Sequence, residues 1–356
     1  MRLLLLFFMS LSSAQAASLW LGFERSALQE ASLESLQMAS GKALRVTLGE
    51  NATSGTLETA PIPARSFDTA IVSWNAETPP GTWLELSLRA KIGSHWTRYY
   101  PLAVWSADTE KRHSFADKGD ADGGIQTDTL ELKRPADALQ IRVVLRSAKP
   151  GPSPVLSGLS AVTSDSSTHY TARAKASDKK AWGLELPVPA HSQMLYKDDG
   201  EVWCSPTSVT MVLGYWSRAG RKLDDPVPKA AAAIWDSVYD GAGNWPFNTA
   251  YAASKGLRAY VSRLGGLAEA EEYTVRNIPL VLSVAWGVGE LPGAHIAKSN
   301  GHLVVLRGFT RDGDPIINDP AASDDAGVRT VYPRAAFERA WIAHSGGVIY
   351  VIEPRP

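Results

Sequence analysis

Two segments in the first half of the chain alternate apolar and polar side chains. In residues 83–90, Leu84, Leu86 and Leu88 fall on one face, and residues 141–146 alternate in the same way. A repeat of two is typical of a strand with one buried face, whereas a helix repeats its apolar positions every three or four residues. These segments therefore restrict the first half of the chain to β structure.

Shorter apolar segments extend this pattern, and Pro, Gly, Asn and Asp separate them as expected of turns. They cover residues 19–23, 43–48, 69–74, 98–105 and 130–132. Many short strands joined by turns are typical of a β sandwich. We therefore predict an all-β, jelly-roll-like sandwich over residues 17–163.

The second half differs in pattern and follows a polar segment without periodicity, residues 164–183, which we predict to be a solvated linker. Apolar residues spaced three and four apart predict a helix over residues 205–216. Further helices are predicted at 229–239, 248–255 and 334–342, and strands at 279–286, 302–309, 315–319 and 348–352. Helices followed by an antiparallel sheet indicate an α+β domain over residues 184–356. The length of 356 residues also favours two domains.

The chain begins with the features of an export signal. Met1 and Arg2 precede an apolar run over residues 3–9, and Ala14-Gln15-Ala16 fits a signal peptidase site. We predict a signal peptide at residues 1–16 and a secreted or periplasmic protein. The apolar run is too short to span a bilayer, and no later segment is apolar enough.

The composition argues against several classes of function. Lys and Arg number 36 against 37 Asp and Glu, so net charge gives no reason to expect binding to nucleic acid or to a membrane surface. No zinc spacing, phosphate loop or dinucleotide motif occurs, and we expect no metal and no cofactor. Residues 117–124 are rich in Asp and Gly, but Lys118 occupies the first ligand position of a calcium loop and no Glu closes it.

Cys204 is the only cysteine of the chain. Exported proteins usually pair their cysteines in disulfides, so a single thiol indicates a free reactive group or a chance residue. Ser205 can cap the following helix and Pro206 fits its first turn. The thiol would then lie just before a helix N-terminus, whose partial positive charge favours thiolate. We predict that Cys204 is a nucleophile; a small buried apolar residue is the alternative.

A cysteine nucleophile needs a base, an acceptor that orients the base, and donors for the oxyanion. His302 begins a predicted strand and is the candidate base, with His295 in a nearby loop as the alternative. Asp319 ends the next predicted strand and could orient the histidine or merely cap a turn. Gln193, eleven residues before Cys204, could donate its amide to the oxyanion.

These residues belong to four motifs in a fixed order: Val188-Pro189 through Gln193, Trp203-Cys204-Ser205-Pro206-Thr207-Ser208, Gly301-His302, and Asn318-Asp319-Pro320. Together they resemble the bacteriocin-processing-like cysteine peptidases of the papain superfamily. The resemblance covers roughly residues 184–356. It implies a papain-like fold in which glutamine, cysteine, histidine and aspartate form the catalytic set in this order. The first half resembles the β-rich module attached to some secreted members. Leader-processing members are fused to membrane transporters and this chain is not, so the resemblance implies no substrate.

The proposed contact between His302 and Asp319 raises a problem of register. A tight hairpin centred on Asp312-Gly313 would place Asp319 opposite residue 306 and His302 opposite residue 323. At about 3.3 Å per residue, the two side chains would be too far apart to touch. Contact therefore requires a longer connection, a bulge or strong coiling of the strands. Otherwise another acceptor must orient the histidine.

We therefore predict a secreted cysteine peptidase or amide hydrolase that acts on a peptide or protein. An acyl or peptidyl transferase would use the same thioester chemistry. A third hypothesis is a carbohydrate-binding envelope protein with an inert papain-like scaffold. In that case Trp74, Trp83, Trp96 and Trp105 could form platforms for cell-envelope polysaccharide.

Overall fold

The computed structural model describes residues 17–168, 176–197, 199–217 and 222–355. The signal peptide predicted for residues 1–16 lies outside the described residues. Within the described ranges, no helix has both the length and the apolar character needed to cross a membrane. These ranges contain 19 strands and five α helices.

The first region is an antiparallel sheet of 13 strands. They are β1 (Ala17–Gly22), β2 (Ser32–Glu34), β3 (Leu36–Met38), β4 (Val46–Leu48), β5 (Ser54–Glu58), β6 (Ile62–Glu77), β7 (Thr82–Ile92), β8 (His95–Trp96), β9 (Tyr100–Trp105), β10 (His113–Ser114), β11 (Gly123–Gln126), β12 (Thr129–Ser147) and β13 (Val155–Ser164). Along the main path the order is β10-β9-β7-β12-β6-β13-β4-β3. The predicted β-rich first half is confirmed, whereas the jelly-roll topology stays a prediction.

Strand length is the main difference from the predicted elements of this region. In β7, every second side chain is buried, as the alternation predicted. The segments predicted separately at 130–132 and 141–146 both belong to β12, which is 19 residues long. It continues past Pro135 because the register of its pairing with β6 shifts between Glu131 and Ala136. At this shift the ladder needs no hydrogen bond from the N–H that proline lacks.

The second region combines five helices with a six-stranded antiparallel sheet. The helices are α1 (Cys204–Trp216), α2 (Val227–Ile234), α3 (Trp245–Ser254), α4 (Leu267–Val275) and α5 (Arg334–Ser345). The strands are β14 (Leu257–Arg263), β15 (Leu280–Trp286), β16 (Ser299–Phe309), β17 (Pro315–Asn318), β18 (Arg329–Val331) and β19 (Val348–Pro354), in the order β14-β19-β15-β16-β17-β18. The predicted α+β second half is confirmed.

Both faces of this sheet are buried. In β16, Leu303 and Val305 pack into the core that contains α1, α2 and α3, whereas Val304 and Leu306 face the core that contains α4 and α5. Because successive strand side chains point to opposite faces, one strand supplies both cores. Strand β16 is therefore held on both sides by helices.

Side chains of the first region cover the edge of the second sheet. Strand β14 is an edge strand, so its outer N–H and C=O groups need partners when buried. The Asn75 side chain donates to the carbonyl of Ala259 at 2.5 Å and accepts its N–H at 3.1 Å, and Ser73 Oγ accepts the N–H of Val261 at 2.9 Å. The two regions also share one apolar core. The domain boundaries predicted at residues 163 and 184 remain predictions.

Two sequence expectations for surface segments are wrong. The predicted linker is not solvated throughout, because Ala181 is fully buried and the Trp182 indole donates to Glu271 at 3.0 Å. Trp74 and Trp105 are not free platforms, because their rings pack edge-on against Phe247 of α3. The other two proposed platforms each have a cation over the ring: Lys111 over Trp83 and Arg89 over Trp96, both at 4.9 Å.

Arg112 of the first region should be essential for stability. It is 1% exposed and donates to the carbonyls of Ala232 and Trp235 at the C-terminal end of α2, at 2.8 and 2.9 Å. Carbonyls at a helix C-terminus have no partner within the helix. We expect Arg112→Ala to lower the free energy of unfolding by about 3 kcal/mol, since it leaves buried carbonyls unpaired and creates a cavity. Urea denaturation measures this change.

The matched control is Arg134→Ala. The Arg134 side chain is 60% exposed and pairs with Asp122 at 3.1 Å. Exposed ion pairs contribute little, so we expect a change below about 1 kcal/mol. Equal losses in the two variants would contradict a role for Arg112 in joining the regions.

Candidate active site

Cys204 is the first residue of α1 and is partly buried. Its sulfur interacts with the His302 imidazole and with the backbone N–H groups of Leu303 and Ser205. Burial opposes ionisation of the thiol. The hydrogen bond and charge of His302, helped by the two N–H donors, nevertheless lower the pKa of Cys204 below its ordinary value. This cysteine is therefore held in an environment that favours thiolate.

The start of α1 differs in detail from the prediction. Trp203 is the N-cap residue and makes no side-chain cap bond, so the predicted capping by Ser205 is wrong. The Ser205 hydroxyl instead lies 3.0 Å from the hydroxyl of Tyr350, and both residues are buried. The Ser205 hydroxyl thus interacts with Tyr350, which is distant in sequence, and not with the helix N-terminus.

His302 is the first buried residue of β16. Its Nε2 lies 2.7 Å from Oδ1 of Asp319, which leaves Nδ1 as the nitrogen for the cysteine sulfur. The ring of Trp286 meets the imidazole nearly edge-on, with centroids 5.8 Å apart. Burial alone would lower the pKa of His302, but the adjacent Asp319 carboxylate and the Cys204 sulfur raise it, so the imidazolium form is favoured.

Asp319 directly follows β17 and is fully buried. Its Oδ1 accepts hydrogen bonds from His302 and from the N–H of Ala321 at 2.9 Å, and its Oδ2 accepts the Tyr332 hydroxyl at 2.6 Å. Burial would raise the pKa of Asp319, but the charge and donation of His302, with the other donors, lower it. The carboxylate is thus ionised and bonded at both oxygens.

The observed register removes two residues of the predicted offset of four, one through the turn and one through a β-bulge. The pairs Phe309↔Pro315 and Gly308↔Ile316 fit one register, and the register shifts by one residue before Leu306↔Ile317. Continued past Asn318, this register sets Asp319 opposite residue 304 instead of 306. Residue 304 is two positions from His302 and on the same face of the strand. A bulge was one of the solutions that the sequence left open.

Gln193 connects the segment after Asp319 with the segment before Cys204. Its N–H donates to the carbonyl of Pro320 at 2.9 Å, next to Asp319. Its side-chain amide donates to the carbonyls of Gly200 and Glu201 at 2.9 and 2.7 Å, just before Cys204. Both amide hydrogens are used in this arrangement, and the buried Oε1 has no hydrogen-bond partner. Donation to an oxyanion would require one of these hydrogens to be released.

His295 and the Asp-rich segment have other contacts. His295 is exposed and its Nε2 lies 2.9 Å from the Thr330 hydroxyl. In the segment 117–124, Asp117 and Asp120 both pair with Arg98. The described part of the chain contains no group of three or more His, Cys, Asp or Glu side chains suited to hold a metal ion.

Comparison with known protein families identifies both regions. Residues 20–164 match the family described as "Peptidase C39 N-terminal domain", and residues 185–349 match the "Peptidase_C39 like family". The chain belongs to the C39-like peptidases. No curated protein matches it.

Solved structures similar to this C39-like peptidase include a peptidase and a carbohydrate-binding module. A crystal structure described as a C39-like peptidase from Bacillus anthracis has 19% identity and a TM-score of 0.35, covering 49% of this chain and 98% of that one. The C-terminal carbohydrate-binding module of the laminarinase LamC from Zobellia galactanivorans has 10% identity and a TM-score of 0.25, covering 41% and 99%. The family assignment depends on the two family matches and not on these structures.

Two residues of the site were missed in the sequence. Tyr332 lies 13 positions after Asp319 in the chain, and Trp286 belongs to another strand than His302. Neither lies in a motif that marks a catalytic role, because aromatic residues at strand ends are common in any core. Only the pairing of β15 with β16 and of β17 with β18 brings them to the site.

The lowered pKa of Cys204 predicts the pH dependence of its alkylation. Thiolate is the reactive form, so the rate falls as pH drops through the pKa of the thiol. We expect iodoacetamide to modify Cys204 with a midpoint below that of an ordinary thiol. His302→Ala should move the midpoint upward, because burial then acts without the imidazolium. Mass spectrometry of quenched samples measures the rates.

His295→Ala is the matched control and should leave the midpoint unchanged. Tyr239 and Tyr350 also interact electrostatically with the thiol, and Asp128, whose pKa burial raises to about 6, interacts with both tyrosines. They are present in all variants, so differences between variants report on the substituted histidine. An unchanged midpoint in His302→Ala would contradict the interaction between His302 and Cys204.

Proposed function

We propose that this C39-like peptidase is an exported cysteine peptidase or amide hydrolase with a papain-like second domain. Cys204 is the nucleophile, His302 the base and then the acid, and Asp319 the residue that orients His302. The main support is the 2.7 Å contact between His302 Nε2 and Asp319 Oδ1, which directs the other ring nitrogen to the thiol. Family membership supports the peptidase class.

The acylation step follows from this geometry. The Cys204 thiolate attacks the substrate carbonyl carbon, and the carbonyl π electrons move to oxygen to give a tetrahedral oxyanion. When the C–N bond breaks, the amine leaves with the proton of His302 Nδ1. The imidazole becomes neutral and a thioester remains on Cys204. Asp319 stays ionised throughout and favours the imidazolium before this transfer.

The oxyanion donors in this proposal are Gln193 and the N–H of Cys204. As the first residue of α1, Cys204 has no intrahelical acceptor for its N–H. Gln193 contributes when substrate entry turns one amide hydrogen away from Gly200 or Glu201. Its unpaired buried Oε1 supports this role, since rotation of the amide sacrifices no hydrogen bond of that oxygen.

Deacylation decides between hydrolysis and transfer. Neutral His302 accepts a proton from water as the water oxygen attacks the thioester, the C–S bond breaks, and a carboxylic acid leaves. An amine nucleophile at the same position would give a new amide, which is the transferase alternative. We propose water as the acceptor because the peptidase family supports hydrolysis.

The organisation of the mature protein is part of the proposal. We assign export to residues 1–16, a β-sandwich module to 17–163, a connecting segment to 164–183 and the peptidase domain to 184–356. The substrate is a peptide or protein. Trp74 and Trp105 give no support for binding of polysaccharide by the module, since they are 1% and 4% exposed.

A thiol-directed peptide probe tests the proposed nucleophile and base. We expect a peptidyl vinyl sulfone to label Cys204 in the full chain, and Cys204→Ala to abolish labelling. General acid–base catalysis contributes about 10²–10⁴-fold, so His302→Ala should label at least about 100-fold more slowly. His295→Ala should label at the native rate. Equal labelling of native protein and His302→Ala would refute the scheme.

Gln193→Ala distinguishes oxyanion stabilisation from a structural role. A peptidyl p-nitrophenyl ester passes through an oxyanion, whereas alkylation by iodoacetamide does not. We expect the variant to lose about 100-fold in acylation rate, measured as release of nitrophenol, with alkylation almost unchanged. If both reactions slow together, Gln193 serves only to hold the loop before Cys204. Exposed Gln126→Ala is the control.

A further inference from the structure

The Asp319 carboxylate is bonded at both oxygens, and only one oxygen contacts His302. Oδ1 accepts from His302 and from the Ala321 N–H, whereas Oδ2 accepts the Tyr332 hydroxyl at 2.6 Å. Without a partner on Oδ2, a carboxylate can rotate about its Cβ–Cγ bond, which moves Oδ1 off the imidazole. Asp319 is fully buried, so bulk water does not replace a lost donor.

Tyr332 is itself fixed in place. Its side chain is fully buried, and its ring stacks on Phe337 of α5 with centroids 5.7 Å apart and an interplanar angle of 14°. Its N–H donates to the carbonyl of Pro315 at 3.3 Å. It directly follows β18, which pairs with β17, the strand that leads to Asp319. The hydroxyl therefore comes from a rigid part of the core.

We propose that Tyr332 is a positioning residue that holds the Asp319 carboxylate so that Oδ1 stays on His302 Nε2 and Nδ1 stays on Cys204. The contacts form a continuous series from Tyr332 through Asp319 and His302 to the thiol. Tyr332 touches no reacting atom and acts through Asp319. Its importance for turnover rests on the proposed function, whereas its effect on the thiol does not.

Tyr332→Phe tests this proposal because it removes one oxygen and keeps the ring. Loss of orientation weakens the support of the imidazolium, so the pKa of Cys204 moves back toward its ordinary value. We expect the midpoint of iodoacetamide alkylation to rise by about one pH unit, the equivalent of one hydrogen bond to a charged group. Acylation by the nitrophenyl ester should slow about tenfold in kcat, with little change in KM.

Tyr100→Phe is the matched control. Tyr100 is also fully buried, and its hydroxyl also donates to a carboxylate, Asp120, at 2.7 Å, but in the first region. It should lose similar stability without moving the alkylation midpoint. A midpoint in Tyr332→Phe equal to that of native protein or of Tyr100→Phe would overturn the proposal.

A double-mutant cycle tests whether Tyr332 acts through Asp319. In the Asp319→Ala background, Tyr332→Phe should have no further effect on alkylation, because the carboxylate that it orients is gone. Additive effects would overturn the proposal.

If Asp319→Ala fails to fold, the two-bond ¹H–¹⁵N spectrum of His302 tests the same role. Tyr332→Phe should shift the ring nitrogens of His302 toward the neutral form, and unchanged shifts would refute the role. If the native enzyme cleaves no ester, the proposed function fails and these thiol and imidazole readouts still judge Tyr332.

Discussion

The hydrogen bond between His302 and Asp319 places an imidazolium against a carboxylate in a buried site. Neighbouring groups of the second region supply the other hydrogen bonds of this pair. Buried charges are tolerated only when their geometry is good and their other polar atoms have partners. Asp319 has two further donors, and the second nitrogen of His302 faces the sulfur.

The pair also determines a pH range in which it stabilises the fold. The pKa of Asp319 is lowered and that of His302 is raised on folding. Both charges therefore contribute fully to stability between about pH 4 and 6.5, the ordinary pKa values of the two groups. The Asp319 contribution is lost as pH falls through its folded pKa, and the His302 contribution as pH rises through its own.

Local patterns predicted the elements that carry the site, because apolar periodicity reports burial of individual helices and strands. The helix after Cys204 and the strands before and after His302 were predicted to within a few residues. What the sequence could not supply was contact between distant segments. The bulge at Gly308 is one example. Gly308 lies against the backbone of Leu184. A Cβ at position 308 would come within 2.3 Å of the Leu184 carbonyl oxygen. The backbone beside this bulge thus packs against a chain segment more than 100 residues earlier.

The same reason explains which contacts the sequence did not predict. Ser205 has the chemistry of a cap, but it is the second residue of α1 and its hydroxyl lies 3.0 Å from the Tyr350 hydroxyl. Gln193 was predicted from its place in a motif, and its distance to Cys204 in sequence said nothing about the carbonyls of Gly200 and Glu201. Tyr332 carries no local signal at all. Residue type and order predicted which groups lie close together, and tertiary packing determines which hydrogen bonds they make.

The contact between the regions bears on how rigid the site is. Helix α1 lies in the apolar core that also contains Trp74 and Leu145 of the first region. Strand β14, at the edge of the second sheet, receives its outer hydrogen bonds from Asn75 and Ser73. Removal of the first region would expose this edge together with Phe247 of α3, whose aromatic partners Trp74 and Trp105 lie in the first region. A side chain at the start of a helix keeps its distance to a partner on another element only if the helix is fixed, since small displacements separate the two groups. The β-rich region therefore contributes to the scaffold that holds Cys204 against His302.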